Sequence, residues 1–96
     1  MTELWTLRDF EERFDAWVAQ ESPSIDLRYI VLNWVFSRAE NPFAGARRAE
    51  GFENLGFTVI PGSHNKSGAM VTCSYWIEVA DHVVLCDIFG TLSPPF

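Results

Sequence analysis

The stretch from Val59 to Val71 reads VIPGSHNKSGAMV, and its glycines with Lys66 and Ser67 suggest a phosphate-binding loop at first sight. Such a loop requires Gly-Lys-Ser/Thr in that order and then a helix, whose N-terminal amides bind the phosphates. Here Lys66 and Ser67 precede Gly68, and residues that alternate like a strand follow. The stretch therefore predicts a polar hairpin loop of about eight residues and not a nucleotide site.

The two cysteines, Cys73 and Cys86, lie in neighbouring predicted strands of one hairpin. Direct pairing of the two would leave no residues for the turn. They are therefore either diagonal neighbours, about 7–8 Å apart, or on opposite faces. A disulfide needs Cα atoms within about 7 Å and converging side chains. We predict two reduced, buried thiols, which is typical of the cytoplasm.

Other chemistry-bearing residues are scattered. A metal site needs three or four converging ligands, and no ligand pair at the usual short spacing occurs among His64, Cys73, His82, Cys86 and Asp87. A Gly-x-Ser-x-Gly nucleophile motif is absent from the sequence. We expect neither a metal nor a cofactor. Asp87 interrupts an apolar run, so we expect it to face an edge, to pair with an arginine such as Arg38 or Arg48, or to mark a site; structural pairing is favoured.

Composition sets the class of protein. The chain has 96 residues, which predicts a single domain over 1–96. Its net charge is −6, and because nonspecific nucleic-acid affinity depends on Lys and Arg, general nucleic-acid binding is not expected. A basic protein partner suits this charge. No apolar run reaches the roughly 20 residues of a membrane span, and the start of the chain lacks a signal-peptide pattern. We therefore expect a cytoplasmic protein.

Two amphipathic helices are predicted in the first half of the chain. Phe10, Phe14, Trp17 and Val18 share one helical face, with Thr6 or Asp9 as the N-cap and a capping box between Asp9 and Glu12. The second helix is predicted to start with Ser22 as its cap and Pro23 at its first position, and to end at Asn41-Pro42. Its apolar set is Leu27, Ile30, Val31, Trp34 and Val35. Tyr29, Leu32 and Phe36 broaden this stripe, which predicts that the helix is buried on more than one side.

Strands are predicted in the second half. FAGARRAEGFEN is interpreted as a loop with at most one helical turn, and Phe57–Ile60, Ala69–Val79 and Val83–Phe89 as strands, with an optional extra strand at Leu4–Leu7. The prolines of the tail from Gly90 to Phe96 predict that it leaves the sheet. Helices followed by strands predict an α+β fold, with two N-terminal helices on one face of an antiparallel sheet of three or four strands.

Tyr75 and Trp76 must point to opposite faces of their strand. If the helices cover one face only, one of the two rings lies on the open face. We predict a binding surface there, covered by a partner segment or by a second copy of the chain.

Three stretches resemble the RelE/ParE superfamily of bacterial toxins. TLRDFEERFDAWVAQ resembles the family's opening helix, VLNWVFSRAENPF resembles the helix end before its sheet, and FTVIPG, VTCSYWIEV and HVVLCDIF resemble its central strands. The resemblance spans about Trp5 to Leu92. It implies two N-terminal helices on an antiparallel sheet and a toxin that a cognate antitoxin neutralises.

What the resemblance implies for activity is growth inhibition, either by mRNA cleavage on the ribosome or by poisoning of gyrase. Cleaving members bind phosphate with several Lys and Arg side chains and a Tyr or His. On that basis the candidate catalytic residues are Arg47, Arg48, His64, Lys66 and Tyr75. The three predicted strands contain no Lys or Arg, so cleavage would lack most of its electrostatic stabilisation. Whether the chain is an enzyme, a ribosome-dependent endoribonuclease, therefore stays open.

Two functions remain open at this point. The first is a RelE/ParE-like toxin of a type II toxin–antitoxin module, whose partners are an antitoxin and the ribosome or gyrase. The alternative is a non-catalytic acidic binding module, such as an inhibitor, immunity or antitoxin-like protein, that docks on a basic partner. The architecture favours the first and the composition favours the second.

Overall fold

A computed structural model describes residues 3–49, 51–65 and 67–93 of the chain. Two helices precede most of a five-stranded sheet, so helices and strands are segregated along the chain, as is typical of an α+β fold. The elements are β1 (Thr6–Arg8), α1 (Phe10–Glu21), α2 (Ile25–Glu40), β2 (Arg47–Ala49), β3 (Phe52–Val59), β4 (Met70–Glu78) and β5 (Val83–Leu92). None of the helices in these ranges is long and apolar enough to cross a membrane.

The ends of the helices differ from the predicted caps. Asp9 occupies the N-cap position of α1, which confirms one of the two predicted alternatives, but with φ at 63° its side chain makes no capping hydrogen bond, so the predicted capping box with Glu12 is wrong. Helix α2 begins later than predicted, because Ser24 is its N-cap and accepts a hydrogen bond from the backbone of Leu27 at 3.2 Å. Ser22 instead ends α1 in a left-handed conformation. The predicted end of α2 at Asn41-Pro42 is confirmed, because Glu40 is the last helical residue and Asn41 is the C-cap.

The sheet has the strand order β1-β5-β4-β3-β2. Four strands form antiparallel pairs, and β1 runs parallel to β5, so the sheet is mixed and has five strands where three or four were predicted. The extra strand near the N-terminus exists, but at Thr6–Arg8. A strand follows Gly68, with no helix there, which confirms that the loop before it is not a phosphate loop.

Two segments that were interpreted as irregular join the sheet. The segment around Arg47 forms edge strand β2 and the start of β3 instead of a loop. Strand β5 also continues through Gly90 to Leu92, where a tail was predicted. Gly90 lies opposite Thr72, whose hydroxyl oxygen would be 3.0 Å from a Cβ at this position, so the strand continues closely packed at its glycine. Residues 94–96 lie outside the described part of the chain.

Both helices pack on one face of the sheet, as predicted. Three aromatic rings of α1, those of Phe10, Phe14 and Trp17, lie 6.2–6.4 Å from the ring of Phe89 on β5. On α2, Trp34 packs edge-on against Tyr75 of β4 at 5.8 Å. Large rings thus fill the core of this short chain, and the Tyr75 side of β4 is the covered side.

A β-bulge sits in the hairpin of β4 and β5. Tyr75 pairs with Cys86 while Ser74 pairs with Ile88, which leaves Asp87 without an opposite residue. Asp87 is exposed at this bulge, so its place in an apolar strand follows from a break in the ladder. The cysteines are free and buried on the covered face, with their sulfur atoms 3.9 Å apart, which confirms the predicted thiols.

Burial and the neighbouring Cys86 raise the pKa of the Cys73 thiol well above its usual range. The unfolded thiol ionises near pH 8.5, whereas the folded one stays protonated. Its contribution to stability is therefore complete below that pH and is lost progressively as the pH rises above it. We expect the free energy of unfolding, measured with urea, to fall between pH 8 and pH 10.

The matched variant is Cys73→Ala, which removes this thiol. It should be less stable throughout, because it creates a small cavity, but its stability should fall less over the same pH range. In the native protein at pH 8 a thiol reagent should modify neither cysteine, and in denaturant it should modify both. Equal pH dependence in the two proteins, or rapid modification of the native chain, would contradict this account.

Candidate functional site

The sheet face that carries neither α1 nor α2 is the candidate functional site, and we call it the open face. Along β4 and β5 it presents Trp76, Leu85 and Ile88, and along β3 it presents Leu55 and Phe57. Ile88 exposes 58% of its surface and Phe57 exposes 38%. The prediction that one of the adjacent rings Tyr75 and Trp76 lies on this face is confirmed, since Trp76 is only half-buried.

An arginine stands at each edge of the open face. Leu7 packs into the core, so its neighbour Arg8 on β1 points to the open side. Arg47 on β2 pairs with Phe57 and shares its face. Four strand spacings separate the two arginines, which is about 19 Å. Two cations at this separation cannot hold the same phosphate group, but they can flank an apolar surface.

Arg48 points away from the open face. It follows Arg47 in the same strand and pairs with Gly56, and side chains alternate between the two faces of a strand. Its guanidinium lies 5.2 Å from the centre of the Phe43 ring. The adjacent residues Arg47 and Arg48 therefore lie on opposite faces of the sheet.

Tyr75 is fully buried beneath the helices. Its hydroxyl donates to the carbonyl of Pro42 at 2.9 Å and lies 3.2 Å from the hydroxyl of Thr58. Because the phenolic proton is used, Thr58 must donate in the second bond. The phenol oxygen is thus an acceptor inside the core, and in this structure it faces no accessible surface.

The fourth member of this network is Arg38 of α2, which is only 5% exposed. Its Nη1 donates to Ala44 at 2.6 Å, to Tyr75 at 3.3 Å and to Pro42 at 3.4 Å. The hydroxyl of Ser37 accepts from its Nη2 at 3.0 Å, and its guanidinium carbon lies 4.8 Å from the centre of the Trp34 ring. These partners are all neutral, so the buried cation is stabilised by hydrogen bonds and by an aromatic face.

His64 lies at another end of the molecule. It lines a cavity of about 730 Å³ between the α1–α2 connection and the loop before β4, together with Trp17, Leu27 and Thr91. Val71 on the same cavity is four residues from Tyr75 along β4, a distance of about 13 Å. Lys66 lies outside the described residues.

Of the four sequence-derived candidates in the described part of the chain, the structure brings two near one another. Arg48 and Tyr75 flank Gly56 on the covered side, while Arg47 is on the open face and His64 is at the cavity. Apart from Trp76, sequence reasoning missed the apolar residues of the open face, and it missed Arg8. The sequence signals for them were the alternation of side chains along β1 and the nearly continuous apolar run of β5. The faces of β5 could not be assigned without knowledge of the bulge.

Comparison with known proteins agrees with this architecture. A double arginine-to-alanine mutant of E. coli toxin RelE, solved in the free state, superposes with a TM-score of 0.61 over 91% of this chain and 82% of that one, at 16% identity. The chain has a RelE-like fold. No protein-family model and no curated protein sequence matches the chain.

Removing the Tyr75 hydroxyl tests the buried network. We expect Tyr75→Phe to lower the free energy of unfolding by about 1–3 kcal/mol, because Arg38 and the Pro42 carbonyl each lose a buried partner. Urea denaturation of both proteins measures the difference.

The control is Tyr29→Phe, which deletes the same hydroxyl from a side chain that is 63% exposed. Its effect should stay within about 0.5 kcal/mol. Equal losses in the two variants would show that the hydroxyl of Tyr75 has no special role in the core.

Proposed function

We propose that this chain is the toxin subunit of a type II toxin–antitoxin module, which stops growth by binding its target, the ribosome or gyrase, through the open face. The observation that carries the proposal is the RelE-like fold over 91% of the chain, together with an uncovered apolar sheet face. A cognate antitoxin would keep the subunit inactive.

The charge distribution favours binding over phosphodiester cleavage. Stabilising the charge that develops on a phosphate requires cations that converge on it. Among the described residues of the open face the cations are Arg8 and Arg47, which stand at opposite edges. Tyr75, which could polarise a phosphate in a cleaving enzyme, is instead part of the core. We therefore assign Arg47 to target binding at the rim of the open face.

A second candidate function is an acidic, non-catalytic module that docks on a basic protein. The net charge of −6 favours it. Expression of the chain alone separates the two functions, because a toxin arrests growth and an inhibitor or immunity protein is harmless.

A single charge placed on the open face tests the first proposal. Induced expression of the wild-type chain in bacteria should arrest growth, and Ile88→Asp should abolish the arrest, because a carboxylate in the centre of an apolar interface is left unpaired on binding. Colony counts after induction measure the effect, and mRNA from arrested cells should remain intact.

The matched control is Val79→Asp, which makes the same change in charge at a residue that is 67% exposed and lies directly after β4. It should arrest growth like the wild type. Harmless expression of the wild type would refute the toxin, and arrest that survives Ile88→Asp would remove the open face from the mechanism. Fragmented mRNA would show that the chain acts by cleavage and not by binding alone.

A further inference from the structure

The outer surface of α2 carries a line of exposed apolar side chains. Ile25, Tyr29, Leu32 and Phe36 follow one another at spacings of four, three and four residues, which is the pattern of a coiled-coil seam. Ile25, Tyr29 and Phe36 expose 65%, 63% and 64% of their surfaces, and Leu32 between them is half-buried. The prediction that α2 is buried on more than one side is therefore wrong at Tyr29 and Phe36. We call these four residues the α2 stripe. It extends about 16 Å along the helix.

At its Phe36 end the α2 stripe opens into a groove between the two helices. The groove encloses about 500 Å³. Its apolar walls are formed by Leu7, Phe10, Phe14, Leu32, Val35 and Phe36. Its remaining lining residues are the carboxylates Asp9, Glu11 and Glu12, all of them exposed. An apolar floor with an acidic rim thus continues the stripe across to α1.

The charge of the helical hairpin indicates which kind of partner can bind the α2 stripe and its groove. Residues 9–28 contain six carboxylates and two arginines. Arg28 turns its Nε to the carbonyl of Pro23 at 3.1 Å, so it is engaged within the hairpin. A second copy of the chain would bring the same acidic surface against this one, and like charges at an interface are unfavourable. A basic partner segment with apolar residues can contact the α2 stripe and also pair with the acidic rim of the groove.

We propose that the α2 stripe and its groove bind a basic amphipathic helix of a partner protein. The partner helix lays apolar residues at a spacing of three and four against Ile25, Tyr29 and Phe36, and its Lys or Arg side chains reach the carboxylates at the rim of the groove. This site lies on the helical side of the molecule, opposite the open face. It is therefore independent of the target site proposed above.

The test uses two labelled peptides of about 20 residues, long enough to form several helical turns. Both carry Leu at heptad positions a and d. One has Lys at the other positions and the second has Glu. Fluorescence anisotropy with the whole chain should show binding of the Lys peptide, weaker binding as salt rises, and no binding of the Glu peptide.

Phe36→Asp distinguishes docking from unspecific attraction. The variant is more acidic than the wild type, so unspecific binding of the Lys peptide would become tighter. Docking on the α2 stripe instead predicts that the affinity falls at least about tenfold, as for the loss of a central aromatic anchor. Val79→Asp makes the same change in charge elsewhere and should bind like the wild type. Circular dichroism of both variants checks that they are folded.

Three results would overturn the proposal. The first is equal or tighter binding of the Lys peptide by folded Phe36→Asp. The second is equal binding of the Glu peptide by the wild type. The third is a dimer of the wild type, seen by analytical ultracentrifugation and lost in Phe36→Asp, which would assign the stripe to a second copy of the chain.

Discussion

The buried guanidinium of Arg38 is the constraint on which the rest of the structure depends. A cation removed from water is costly unless hydrogen bonds replace its hydration. Here the replacement comes from separate parts of the chain, namely Tyr75 on β4 and the carbonyls of Pro42 and Ala44 in the turn after α2. Satisfying one cation therefore ties the second helix, the turn and the centre of the sheet together.

The backbone leaves room for this network at Gly56. This residue lies opposite Tyr75, and a Cβ at its position would be 3.0 Å from the tyrosine ring. Thr58, two residues further along β3, contacts the tyrosine hydroxyl from the same side. Arg38, Tyr75 and Thr58 thus form a buried polar cluster on the covered face. Apolar side chains remain on the other two surfaces, the open face and the α2 stripe, where partners can reach them.

The sequence predicted the helices and central strands well because periodicity reports burial on one side. It failed where burial does not set the pattern. The segment that contains Arg47 is exposed at the edge of the sheet, so its alternation of side chains carries no hydropathy signal. Only its backbone pairing with β3 places this segment in the sheet. Strand β5 crosses Gly90 for the same reason, since its hydrogen-bonded partner strand is long enough to continue.

The candidate site was harder to predict than the fold. Tyr75 and Arg48 have the residue types of a phosphate site, but burial directs the tyrosine hydroxyl inward and strand alternation separates Arg48 from Arg47. Sequence cannot show either effect before the faces of the strands are assigned. The bulge at Asp87 shifts the alternation of side chains along β5 by one residue. Only the observed pairing of β4 with β5 shows this shift.

A double-mutant cycle between Arg38→Met and Tyr75→Phe tests the central claim most directly. Urea unfolding of the wild type, the two single variants and the double variant gives the coupling energy of the pair. If the phenol oxygen stabilises the buried cation, the coupling should be favourable and about 1–3 kcal/mol. Additive effects, with a coupling near zero, would show that the cation and the phenol are stabilised independently and that Arg38 does not tie α2 to the sheet.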